Sequence, residues 1–185
     1  MLPPTIHEGT TMSPVLHTIT PALAHVSCDA NLLVRNVRAC AEKHTYRSWF
    51  IIDGTHPYLY ENPAIANHVS GTTFVDMGRQ LLKAITHLFY GTPLDSRFVL
   101  HNVDIEFLRW AKLDVAIEVT VSVEAPDARR ADAPRSCAAA LVWRQEGHLV
   151  ARARSRFTTF SAALEAKLMT RQYGQAPTDA ELHTA

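Results

Sequence analysis

An α+β domain, in which one antiparallel sheet wraps around a single long central helix, is the fold class this sequence predicts. Three observations carry it. Thr72–Tyr90 reads as an uninterrupted amphipathic helix closed by Gly91 and Pro93. Val115, Ile117, Val119, Val121 and Val123 alternate with polar residues as in a half-buried strand. Two further β runs, Ser136–Gln145 and Leu149–Phe160, flank Glu146-Gly147-His148 and read as a hairpin.

The elements follow in order. Residues 1–30 are rich in Pro, Thr, Ser and His without periodicity, and are expected to form an irregular N-terminal arm lying over the domain surface. The domain proper is expected over 31–172. Leu32–Cys40 fits a short strand or a helix, and the pattern leaves both open. His44–Asp53 ends in an aromatic and β-branched cluster typical of a strand, and Asp53-Gly54 stops it. The long Pro-rich stretch to Gly71 holds His56 and His68, and loops of that length are often functional.

Along the helix, Phe74, Met77, Leu81, Leu82, Ile85, Leu88 and Phe89 form one apolar arc. Asp76, Arg79, Gln80, Lys83 and His87 fall on the opposite stripe. Phe98–Leu108 alternates in part, 125–134 is a polar turn region, and Ala162–Arg171 forms a short terminal helix. Residues 173–185 are expected to be disordered. The count is therefore one strand, a long helix, then about four antiparallel strands.

Composition narrows the function classes. The chain has 185 residues, 47% of them apolar, which suits one domain with a full core. Eighteen Lys and Arg balance eighteen Asp and Glu, and no basic block occurs, so nucleic acid is not an expected partner. The first residues lack the cationic start and apolar run of a secretory signal. No stretch approaches the roughly 20 apolar residues a membrane helix needs. Cys28, Cys40 and Cys137 are odd in number and lack metal-type spacing. The expectation is a reduced cytoplasmic protein with no metal, no cofactor and no membrane partner.

Candidate chemistry concentrates around the helix start. Asp76 and Arg79 are one turn apart and read either as a solvated ion pair or as part of a site. A helix start offers free N–H groups and a positive dipole end, suited to a thioester oxygen as it gains charge; Gly71 and Thr72 open it. His56 or His68 can supply an imidazole suited to proton transfer near neutral pH. Lys83 and His87 are expected to face solvent. His87 lies eleven residues beyond Asp76, about 16 Å along the axis, too far to share one bond with it. No Gly-x-Ser-x-Gly elbow occurs.

Gly71-x4-Asp76-x3-Gln80 is similar to the glycine, acid and glutamine that open the central helix of β-hydroxyacyl carrier-protein dehydratases. More closely, His56-Pro57 through Gln80, followed by Phe89-Tyr90-Gly91-Thr92-Pro93-Leu94, resembles the A-factor biosynthesis hotdog family. That family's pattern is approximately His-Pro, an aromatic run, Asp-His-Val-Pro-Gly, Glu-x2-Arg-Gln, then Tyr-Gly-x-Pro-Leu. Leu33-Val34-Arg35 echoes its earlier Leu-Val-His motif. The resemblance covers residues 53–108.

It implies a single hotdog fold acting on acyl thioesters of an acyl carrier protein or coenzyme A. Better-known members join a β-ketoacyl group to the hydroxyl of dihydroxyacetone phosphate, in the biosynthesis of γ-butyrolactone signals. Carried across, the family's acid and arginine fall on Asp76 and Arg79, its Asp-His on Asn67 and His68, and its His-Pro on His56-Pro57. Gln80, Gly71 and Thr72 are then expected at the substrate. The chain departs at Asp76 for Glu, Asn67 for Asp, Ser70 for Pro, and Asn62-Pro63 for a second His-Pro. Familiar members carry two hotdog units and this chain has room for one, so a homodimer is expected to supply the second. Dehydration of a β-hydroxyacyl thioester and non-catalytic acyl binding are the alternatives.

Overall fold

The computed structural model describes residues 15–52, 68–124 and 135–173. The chain forms β1 (Leu16–Thr18), α1 (Pro21–Ala24), β2 (Asn36–Ala39), β3 (Thr45–Phe50), α2 (Gly71–Tyr90), β4 (Arg97–Phe107), β5 (Ile117–Val123), β6 (Arg135–Gln145), β7 (His148–Phe160) and α3 (Ala162–Tyr173). One seven-stranded antiparallel sheet runs in the order β1-β2-β3-β5-β6-β7-β4. The predicted α+β class and central helix are therefore present. Among the described residues three strands precede the helix where one was expected, because β1 and β2 are too short for a period-2 signal. His56 lies outside the described residues, as do residues 125–134 and the tail from 174.

Period-2 patterning explains which face the helix covers. Ile117, Val119, Val121 and Val123 of β5 point inward with Cys137, Ala139, Leu141 and Trp143 of β6. On β7 the inward set is Ala151, Ala153, Ser155 and Phe157, while Arg152, Arg154 and Arg156 face out. The β6–β7 turn is two residues, with Glu146 at φ 52° and Gly147 at φ 78°. Two left-handed residues in a row match the twist of a hairpin.

Helix α2 lies across this inward face. Ser70 caps its start, its hydroxyl accepting from the Thr73 amide at 3.4 Å. Gly91 ends it at φ 64°, as the sequence predicted for a left-handed cap. Phe74 meets Trp143 edge-on, and Phe89 packs on Tyr46, so both ends of the helix are anchored to the sheet.

The polar stripe of α2 is covered over much of its length, although Arg79 stays exposed. Residues 19–35 run over it, and α1 packs against it. Gln80 is fully buried; its Nε2 donates to the Asn31 carbonyl and to Asp76 Oδ2, at 2.9 and 2.7 Å. Its Oε1 accepts from the Leu33 amide at 2.9 Å. His87 is 9% exposed, correcting the expectation that it faces water. Its Nδ1 lies 2.7 Å from the Thr92 carbonyl, which only accepts, so Nδ1 carries the proton. Its Nε2 lies 2.8 Å from His25 Nε2. The helical wheel could not show this cover, because the covering residues lie 47 to 62 positions away and carry no periodicity.

Two outcomes follow for stability. Gln80→Met leaves the Leu33 amide and the Asn31 carbonyl buried without partners, and should cost about 3 kcal/mol in urea unfolding. His25 is lowered from 6.5 to about 4 by burial first, then by the charges of Lys83, His87, Arg79 and Arg97. As pH falls from 6.5 toward 4, the unfolded chain takes up a proton at this position and the folded one does not. Stability therefore declines across that window, and His25→Gln should flatten the decline when urea midpoints are compared at several pH values. An unchanged slope in the variant would overturn the assignment.

Candidate active site

The site is built where the first half of α2 passes β4. Asp76 sits one and a half turns into the helix with its side chain 17% exposed. Arg79 Nε donates to Asp76 Oδ1 at 2.6 Å, and Gln80 Nε2 donates to Oδ2. Both carboxylate oxygens thus accept from N–H donors, the bonding pattern of an ionised carboxylate. Spacing placed Asp76 and Arg79 together, and the structure does the same. Gln80 is expected at the substrate but is placed inside, its carboxamide engaged by the chain itself, because residues 31–33 close over it.

Beside this pair lies a cavity of about 150 Å³ between α2 and the sheet. Phe74, Val75, Leu82, Leu141, Trp143 and Phe157 supply most of its apolar wall, and Arg79 and Lys83 line it as well. The opening has a simple origin. Gly78 on the helix and Ala153 and Ser155 on β7 all line it, small residues that leave space between α2 and the sheet. A Cβ at Gly78 would stand 3.3 Å from Leu141 Cδ2 and 3.5 Å from the Trp143 ring. Lys83 is half-buried rather than solvent-facing, and its ammonium sits 5.4 Å from the centre of the Phe98 ring. Burial lowers its pKa first, Arg79 lowers it further, and Asp76 raises it.

A second pocket adjoins the helix start. His68, Val69, Gly71, Phe74 and the segment 107–111 line it, and Phe74 is shared with the larger cavity. His68 is fixed there by a bridge to Lys112 and by its ring lying 4.0 Å from that of Trp110. Gly71 lets Phe107 come close: a Cβ would stand 3.0 Å from Phe107 Cζ. Thr72 is exposed, with its hydroxyl 2.9 Å from Ser70 Oγ. The structure therefore brings His68 to Gly71, and brings Arg79 to Asp76. His68 and Asp76 do not line a common pocket.

Sequence reasoning missed the cavity itself. Its available signal was a glycine, Gly78, within the apolar helix face, together with small residues at alternate inward positions of β7. Among the described residues no group of three or more metal-ligating side chains occurs, and no helix is long and apolar enough to cross a membrane.

Comparison with known proteins follows this geometry. The model of the A-factor biosynthesis hotdog domain matches residues 7–161. No curated protein matches the chain. Among solved structures, a hot-dog-like protein from Thermanaerovibrio acidaminovorans aligns with a TM-score of 0.53 at 17% identity, covering 71% of this chain and 92% of that one. A hypothetical thioesterase with coenzyme A from Streptococcus pneumoniae TIGR4 aligns with a TM-score of 0.44 at 11% identity, covering 65% and 81%. The first of these likenesses concerns the fold: a sheet wrapped on one central helix, as found here. With the family pattern spanning 155 residues of that fold, from 7 to 161, the chain belongs to the A-factor biosynthesis hotdog family.

Proposed function

We propose that this protein is an acyl-thioester enzyme of the A-factor biosynthesis type. It would transfer a β-ketoacyl group from an acyl carrier protein to a small hydroxylated acceptor such as dihydroxyacetone phosphate. The observation that carries the reading is the apolar cavity beside α2, with Arg79 in its wall and Asp76 bonded to Arg79. An acyl chain suits those walls, and the carboxylate lies near the cavity that would hold it.

In this reading Asp76 accepts the proton of the acceptor hydroxyl as its oxygen attacks the thioester carbon. The C–S bond then breaks and the carrier thiolate leaves, taking a proton. Arg79 orients the carboxylate and, with Lys83, gives the cavity a cationic side. Amides at the Gly71–Thr72 helix start would hold the thioester oxygen. His68 in the adjoining pocket, or His56, would assist with protons. The runner-up, dehydration of a β-hydroxyacyl thioester, draws support from His68 beside the helix start. It needs a proton on Asp76, whose two oxygens both face donors, and that favours the base role.

A homodimer is part of the proposal. Strand β4 is an end strand of the sheet, and Val99, Leu100, Val103 and Phe107 are 41 to 53% exposed along it. An unpaired edge bearing exposed apolar side chains suits pairing with a second copy. Pairing there would also close the cavity, because Leu100 and Val103 line it.

Intact-mass spectrometry of a β-ketoacyl-loaded carrier protein with dihydroxyacetone phosphate tests the chemistry. Wild type should unload the carrier and form the phosphorylated ester, and Asp76→Asn should lower the rate about 10²- to 10⁴-fold while remaining folded. A carrier that stays loaded, or an Asp76→Asn protein of full activity, rejects the reading; a β-hydroxyacyl carrier losing water would instead support the dehydratase. For the assembly, light scattering should give a dimer mass for wild type and a monomer mass for Val103→Asp. A monomeric wild type rejects the dimer.

A further inference from the structure

The wall of the cavity beside α2 holds a cation without a counter-ion. Lys83 lines the space, is half-buried, and forms no ion pair with an acid among the described residues. Its ammonium stands 5.4 Å from the centre of the Phe98 ring, and Phe98 lines the cavity as well. A lysine that only lends its stem to an apolar wall carries its head out into water. This head lies against an aromatic ring of the wall instead.

Its neighbours make the position costly. Arg79 lies four residues earlier, lines the same cavity, and like charges at that spacing repel. Burial and Arg79 both lower the Lys83 pKa, and Asp76 is the acid that raises it. Asp76 is already engaged, its oxygens accepting from Arg79 Nε and Gln80 Nε2 at 2.6 and 2.7 Å. An apolar residue at position 83 would continue the wall of Leu82 and Phe98 and remove the repulsion. Two cations sharing one engaged carboxylate leave a positive charge that an anionic ligand can balance. Position along the helix says where that anion sits. At one end of the cavity Phe74 meets Phe107 and is shared with the pocket at the helix start. Lys83 is nine residues further on, about 14 Å along the axis, beside Phe98 at the other end.

We propose that Lys83, with Arg79, forms an oxyanion site at the end of the cavity away from the helix start, taking a carboxylate or phosphate group of what binds there. The inference rests on the reading of this cavity as an acyl site. A molecule held by its thioester at Gly71 and Thr72 lays its chain along the apolar wall, and the far end of that chain arrives at Lys83. The oxyanion is then either a carboxylate that ends the chain or the phosphate of a small molecule seated beside it. An ammonium offers three N–H donors to either group, and charge-assisted bonds to an oxyanion are the stronger kind. Arg79 serves Asp76 through Nε and has its terminal nitrogens left to donate.

The test is calorimetry at low ionic strength with three probes: octanoyl N-acetylcysteamine thioester, its analogue ending in a carboxylate, and inorganic phosphate. Wild type should bind the carboxyl-ended chain about tenfold more tightly than the octanoyl chain, the ratio one charge-assisted hydrogen bond provides. Alternatively it should bind phosphate in the presence of the octanoyl thioester. The first result puts the anion on the chain, and the second puts it on a separate molecule. Lys83→Met should abolish whichever is seen, Lys83→Gln should do the same with a polar tip, and Lys83→Arg should retain it. Absence of both effects overturns the proposal, as does an effect that survives in Lys83→Met and Lys83→Gln. If the octanoyl thioester does not bind at all, the acyl reading of the cavity fails. Phosphate titrated into the free protein and into Lys83→Met then decides the oxyanion site by itself.

Discussion

The side chain of Gln80 is the joint on which the rest of the architecture depends. One carboxamide, fully buried in the middle of α2, bonds to the Asn31 carbonyl, the Leu33 amide and the Asp76 carboxylate. It thereby fastens the chain leading into β2 onto the helix and fixes the acid of the candidate site in the same act. Low surrounding polarity strengthens each of these bonds and makes each costly to lose. An apolar residue could fill the volume, but it could satisfy neither backbone group. The lead-in would then have no polar partner on the helix at that point.

The second constraint is one of volume. Protein interiors pack to crystal-like density, so a gap has to be made by omission. Here the omissions are Gly78 on α2 and Ala153 and Ser155 on β7, set against larger residues on every side. The cavity reaches the end strand β4, of which Phe98, Leu100, Val103 and Ile105 line it. That edge position also leaves apolar side chains of β4 exposed. Function and assembly are thus linked through one strand.

Electrostatics sharpen this picture. Asp76, Arg79, Lys83, Gln80 and His87 share one stripe of the helix but have different surroundings. Asp76 and Arg79 keep partial access to solvent, Lys83 is half-buried against an aromatic ring, and His87 and Gln80 are sealed in. The cations around His25 arise from two elements: Arg79 and Lys83 from α2, and Arg97 from β4. Burial in that company keeps the His25 imidazole neutral where an exposed one would charge.

Much of this protein was legible in its sequence, and the division has physical reasons. Local signals were sufficient for α2, for its Gly91 cap, for the β6–β7 hairpin and for the Asp76–Arg79 pair, because each depends on residues within about one turn or one hairpin of one another. The motifs from His56-Pro57 through Gln80 and from Phe89 to Leu94 were sufficient for the family, because each holds its residues at near-fixed spacing along the chain. Hidden from the sequence were the cover laid over the polar stripe, the buried state of Gln80 and His87, and the strand order that leaves β4 at the edge. These depend on contacts between residues dozens of positions apart, for which a single sequence carries no period. The cavity belongs with them: Gly78, Ala153 and Ser155 are unremarkable where they stand in the chain, and only packing the helix on the sheet gathers them around one space.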